Sequence, residues 1–245
     1  VNQADNMGCT ALYAACEGGH LEVVKFLIAS GANVDKAMEH GYTPLHIASS
    51  KGHIDIVEFL AASGVNVNET NKNVRGPTPL ILAADNNHLD VVQSLILLTI
   101  AEDGEIDKAN EEGITPLGAA VNTGNVEIVQ ELVESGASVN GESGAKDGIV
   151  RSHVHAAVSN GHVEVMKYLI AGGGLVNHPD HEGMTPLHTA SMNGSLECVK
   201  FLISVGALMN EIDHHGRTPL SIATGKGHLE IVKILVEGHA DIHYC

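Results

Sequence analysis

Apolar residues recur three and four apart in short runs along the whole chain, and each run ends at a glycine or a polar stretch. In the first run Leu21, Val24, Leu27 and Ile28 share one face of a helix of about 3.6 residues per turn. A shorter helical stretch precedes each run and is small on one side: Ala48 with Ser49, Ala83 with Ala84, Ala119 with Ala120. Its start is marked by Thr before Pro. The hydroxyl caps free backbone N–H groups there, and Pro suits the first helical position. Gly19, Gly52, Gly161, Gly194 and Gly227 then break the short helix, while Gly31, Gly64, Gly136 and Gly206 suit a left-handed cap on the longer one. Each unit therefore predicts a helix, a turn and a second helix.

The unit repeats. GYTPLHIASSKGHIDIVEFLAASGVNVN (41–68), GMTPLHTASMNGSLECVKFLISVGALMN (183–210) and GRTPLSIATGKGHLEIVKILVEGHADIH (216–243) share one skeleton. With the threonine as marker, the copies fall at Thr10, Thr43, Thr78, Thr115, Ser152, Thr185 and Thr218, spaced 33, 35, 37, 37, 33 and 33 residues apart. One helix pair cannot bury its own apolar face, so the copies must stack. Thr-Pro-Leu-His (43–46 and 185–188) and Gly-His-Leu-Glu (19–22 and 227–230), in register over seven copies, resemble the ankyrin repeat family across residues 1–245. The resemblance implies an all-α repeat solenoid of helix-turn-helix units joined by β-hairpin-like turns. In it an L-shaped stack lines a concave face with short helices and turn tips, and sets the longer helices on the convex back. The chain then reads as a single ankyrin repeat domain. Its repeats run approximately 1–33, 34–66, 67–105, 106–138, 139–175, 176–208 and 209–241, with a partial eighth at 242–245.

Composition agrees with many small layers rather than one large interior: aromatics are 3 %, Trp is absent and there are 27 glycines. The net charge of −17 repels phosphate backbones and anionic lipid, so the expected partner is a protein or peptide, with a basic segment favoured. Cys9, Cys16, Cys198 and Cys245 show no paired framework and no C-x-x-C spacing, which points to a reducing, intracellular setting, cytoplasmic or nuclear. No signal peptide is evident. The longest apolar stretch, LILLTIA (95–101), falls far short of the roughly 18 residues of a membrane span. The chain opens on Val1, and its first and last copies are as apolar as the middle ones. The expectation is a segment cut from a longer array, or ends that associate with copies of themselves.

RSHVHAAVSNGH (151–162) has the look of a metal site. In register, however, His155 matches the histidine of Thr-Pro-Leu-His, and His162 matches that of Gly-His; only His153, at the proline slot, is out of pattern. Three or four ligands must converge on one ion, and two scaffold histidines with one stray do not supply them. His178, His181, His214 and His215 belong to turn tips, where solvated polar residues are expected. No metal and no cofactor are expected. Gly172, Gly173 and Gly174 sit at a helix end with no Lys-Ser/Thr after them, so no phosphate loop is present, and no nucleophile has an unexplained base.

Departures from the pattern carry the functional expectation. Two residues are added in ETNKNVRGP (69–77), four in NGESGAKDGIVR (140–151), and four lengthen the long helix at LLTIAEDGE (97–105). Between 102 and 147 eleven carboxylates face only Lys108 and Lys146. If a partner docks on the implied concave face, the turn tips offer Glu39, His40, Tyr42, Arg75, Glu111, Glu112, Ile114, Arg151, His181, Met184, His214 and Arg217. The short helices offer Lys51, Asn86, Thr123, Asn160, Met192 and Lys226. Tyr42, Met184 and Met192 are expected as exposed apolar anchors. The expected function is a non-catalytic protein-interaction module. The alternative is a tethering segment of a larger protein such as a channel, a kinase or a ubiquitin-ligase adaptor.

Overall fold

The computed structural model describes residues 1–38, 41–68, 76–144, 150–238 and 240–241. Two compact units divide the chain, Val1–Ala137 and Ser138–Cys245. The first holds α1 (Ala11–Glu17), α2 (Leu21–Ala29), α3 (Pro44–Lys51), α4 (Ile54–Ala62), α5 (Pro79–Asp85), α6 (Leu89–Ala101), α7 (Pro116–Thr123) and α8 (Val126–Glu134). The second holds β1 (Glu142–Gly144), β2 (Val150–Ser152), α9 (His153–Ser159), α10 (Val163–Ala171), α11 (Pro186–Asn193), α12 (Leu196–Ser204), α13 (Pro219–Lys226) and α14 (Leu229–Glu237).

Short and long helices alternate for a local reason. Each short helix starts where an extended Thr or Ser turns its hydroxyl onto the amide three residues on, as Thr10 does for Tyr13 (3.1 Å) and Thr115 for Gly118 (3.0 Å). The chain then bends through a left-handed residue, φ +74° at Gly52 and +72° at Gly194. In the third copy Asn87 takes that conformation, at φ +62°.

In the first unit α1, α3, α5 and α7 pack in succession, as do α2, α4, α6 and α8; in the second unit α9, α11 and α13 form one layer and α10, α12 and α14 the other. Within each unit a helix thus meets its own partner and the adjoining copies. The core lies between the layers. Leu45, Ile56 and Leu60 are buried in one copy, Leu117, Ile128 and Leu132 in another, Leu187 and Leu202 in a third. Burying each such side chain stabilises by about 2 kcal/mol.

An asparagine at the start of the copy clasps the end of the same copy. The Asn140 side chain donates to the carbonyl of Gly173 (3.1 Å) and accepts from the amide of Leu175 (3.0 Å). Asn2 does the same to Gly31 and Asn33, and Asn177 to Gly206 and Leu208. This pair of hydrogen bonds gives the recurring Val-Asn its structural meaning.

Two of the insertions have visible products. α6 runs 13 residues where the other long helices run nine, and it ends at Asp103 in a left-handed conformation (φ +51°). On either side of the second insertion β1 and β2 pair antiparallel, Glu142 with Ser152 and Gly144 with Val150. The third insertion falls almost wholly outside the described residues.

Candidate functional site

Several turn tips are built alike. An Asp or Asn at the start of the turn accepts from the amides two and four residues on, and its own amide donates to the carbonyl four residues on. Asp180 holds Glu182 and Met184 (2.9 Å each) and donates to the Met184 carbonyl (2.9 Å). Asn110 treats Glu112 and Ile114 the same way, and Asp213 treats His215 and Arg217. The turn closes at a glycine of positive φ, +76° at Gly183; a Cβ there would also lie 2.7 Å from the ring of His214. What remains free to vary is the pair of side chains at the apex. Glu111 with Glu112, His181 with Glu182, and His214 with His215 are all exposed. Two apices are tied directly, since the His214 amide donates to the Glu182 carbonyl (2.9 Å).

The candidates picked from sequence divide into three groups. Glu111, Glu112, His181, His214 and Lys51 are exposed; Ile114, Arg151 and Met192 are half-buried. Tyr42 is half-buried with its ring edge-on to His46 at 5.8 Å. Glu39, His40 and Arg75 lie outside the described residues, as do Lys146, Asp147 and Cys245.

Met184 does not occupy an exposed slot. It is 3 % exposed and packs into the core, because the tip's bonds turn the residue before the helix cap inward. Arg217 is exposed but engaged: its guanidinium lies 2.6 Å from the carboxylate of Asp213. Burial alone would raise the Asp213 carboxyl. The Arg217 amide and guanidinium, with the His215 amide, outweigh it and hold the group below its ordinary range. Along the short helices, Asn86 donates to the Leu82 carbonyl (2.8 Å) and Thr123 to that of Ala120 (3.0 Å), so both are partly spent on the scaffold. Asn160 and Lys226 are exposed. Glu182 and His215 were not singled out as contact residues from sequence, although the register that picks Glu112 also picks them.

The histidines have structural work. His155 is fully buried; its Nε2 donates to the Met184 carbonyl (2.7 Å), so its Nδ1 is the acceptor for the Ser152 hydroxyl (3.0 Å). His188 repeats this with the Arg217 carbonyl (3.0 Å) and Thr185 (2.8 Å). Both rings are therefore neutral, and burial lowers both pKa values, that of His155 to about 4. His153 is also buried, with its Nδ1 donating to the Val139 carbonyl (3.1 Å). The out-of-pattern histidine thus ties the first residue of α9 to the chain just before the insertion. At the starts of the long helices, the His53 and His88 rings donate to the carbonyls of Glu17 and Ser50 in the preceding copy. Among the described residues no three His, Cys, Asp or Glu side chains gather as ligands of one metal ion.

A family model described as ankyrin repeats (3 copies) matches residues 1–71, 64–143 and 150–244. The chain belongs to the ankyrin repeat family. Its fold matches the crystal structure of the human ASB11 ankyrin repeat domain with a TM-score of 0.81 at 24 % identity, over 95 % of this chain and 99 % of that one. No curated protein matches the chain in sequence. Ankyrin repeats are generally non-enzymatic modules of protein interaction. Among the described residues, no helix is long and apolar enough to cross a membrane.

Proposed function

We propose that this chain is a non-catalytic interaction module that holds a protein or peptide with basic residues against its turn tips and short helices. The observation that carries the reading is the frozen tip. The amides two, three and four residues after Asp180 and Asn110 are already committed within the turn, so the exposed apex side chains sit on a pre-ordered surface. Ordering is then not lost on binding. The acidic apex at Glu111 and Glu112 supports a basic partner, which the net charge of −17 would draw in. Free thiols at Cys9, Cys16 and Cys198, the last two buried, support a reducing intracellular setting. Exposed Phe26 (70 %) in the first copy and Leu229 (62 %) in the last support a further contact between copies of the chain.

The test is capture from cell lysate at low and moderate salt with the chain and with a variant carrying Tyr42→Ala, Glu111→Ala, Glu112→Ala and His181→Ala. A partner held by the chain, released by salt and lost from the variant supports the tip surface. Equal capture by both, or none by either, favours the tethering role within a larger protein.

A further inference from the structure

The long helices differ in one position that bears on binding. In α2, α10, α12 and α14 a lysine follows a glutamate by three residues and pairs with it: Lys25 with Glu22 (2.7 Å), Lys167 with Glu164 (2.8 Å), Lys200 with Glu197 (3.2 Å) and Lys233 with Glu230 (2.7 Å). In α4, α6 and α8 the same slot holds Glu58, Gln93 and Gln130, and these three helices contain no Lys or Arg at all. Three successive copies of the first unit thus present a long-helix face without a cation.

That face is also where the chain has a groove. About 590 Å³ opens between α4 and α6, with Ile54, Ala61 and Leu98 among its apolar lining and Glu58 and Asp90 on its acidic side. Among the described residues no cation pairs with either carboxylate. α6 supplies Leu97 and Leu98 to the apolar wall, Leu97 being 70 % exposed, before the helix runs on to Ala101. Small Ala61 on α4 faces these larger residues and leaves room between the helices. Gln93, in the vacated lysine slot, donates to Glu131 of α8 (2.7 Å) and joins the acidic side of the next copy to the groove.

We propose that this groove docks a short amphipathic helix, apolar on the face laid against Leu97 and Ala61 and rich in Lys or Arg on its flank. Helix-in-groove recognition requires an apolar trough to take residues three and four apart. The unpaired carboxylates at the rim fix the sign of the flanking charge. An anionic membrane is repelled by that rim. A second copy of this chain is poorly matched, because its long-helix lysines are already paired. The groove lies away from the turn tips, so it stands or falls apart from the tip surface.

The probe is a fluorescently labelled Leu/Lys amphipathic peptide of about five helical turns, titrated against the whole chain and followed by anisotropy and by amide chemical-shift mapping. Two variants address the groove: Leu97→Gln, and a triple variant Glu58→Lys, Gln93→Lys and Gln130→Lys. The latter restores or mimics the residue that other copies carry, and circular dichroism checks that helix content is kept. A control with Glu211→Lys and Glu237→Lys makes the same change in net charge elsewhere. We expect each groove variant to bind about tenfold more weakly or worse, the control to bind as the parent does, and shifts to centre on α4 and α6. The proposal is overturned by no binding to the parent, by equal loss in the control, or by equal binding of a Leu/Glu peptide of the same pattern. Shifts at the tips, or self-association abolished by Leu97→Gln, would overturn it as well.

Discussion

At the scale of single residues, His155 shows how a side chain that suggests chemistry serves architecture. Both of its nitrogens are used in the neutral form: one donates to Met184 and the other accepts from Ser152. Protonation removes that acceptor at the cap of α9 and puts a charge on a buried ring. The folded-state pKa is about 4, below the ordinary 6.5, so the fold favours the uncharged ring. Its contribution is complete above about pH 6.5 and is lost as pH falls from there through 4. The full loss is on the order of 3 kcal/mol. Urea unfolding at pH 7 and pH 4.5 should show a stability drop in the parent that is clearly smaller in His155→Gln. Parallel pH profiles would remove the ring from the account. Met184 belongs to the same connection: register put it at the tip, but its inward turn depends on bonds from Asp180 and His155 that no local pattern reveals.

At the scale of elements, the four residues added after the third copy's long helix were absorbed as one more helical turn rather than as a loop. The helix then ends on Asp103, a non-glycine residue at φ +51°, where other copies use glycine, as at Gly64. An L-residue in that conformation costs about 1 kcal/mol relative to glycine. Asp103→Gly should therefore stabilise by about 0.5–1 kcal/mol, read as a higher urea midpoint with unchanged helix content. A lower midpoint would mean that the Asp side chain contributes more locally than its backbone costs. The hairpin of β1 and β2 makes a similar point. Four inserted residues were legible in the spacing, but the antiparallel pairing of Glu142 with Ser152 is seen only once the two strands lie side by side.

At the scale of the whole molecule, charge is the dominant feature. A net charge of −17 is unevenly spread, and the surface ion pairs that join lysines to glutamates are one helical turn long and exposed. Such pairs contribute little, whereas the mutual repulsion of unpaired carboxylates opposes the compact state. Added salt screens repulsion over roughly 10 Å at 0.1 M. The melting temperature should rise by about 2–5 °C between roughly 0.02 and 0.5 M sodium chloride. A fall with salt would show that the exposed pairs matter more than the repulsion. Because each copy touches only its neighbours, stability is approximately a sum of copy and interface contributions.

Repeat register, helix pairs, capping threonines and family were all legible in the chain itself, because each depends on spacing and on the conformational preferences of residues close in sequence. The same register distinguished His155 and His162 from a metal site and picked out the exposed apices. Tertiary structure decided the rest. It buried Met184, engaged Arg217 with Asp213 and gave His153 a carbonyl partner, since each outcome depends on atoms delivered by another turn. It also placed the cation-free slots of α4 and α6 beside an apolar groove. Their composition could be read in the sequence, but the groove arises only when neighbouring copies stack.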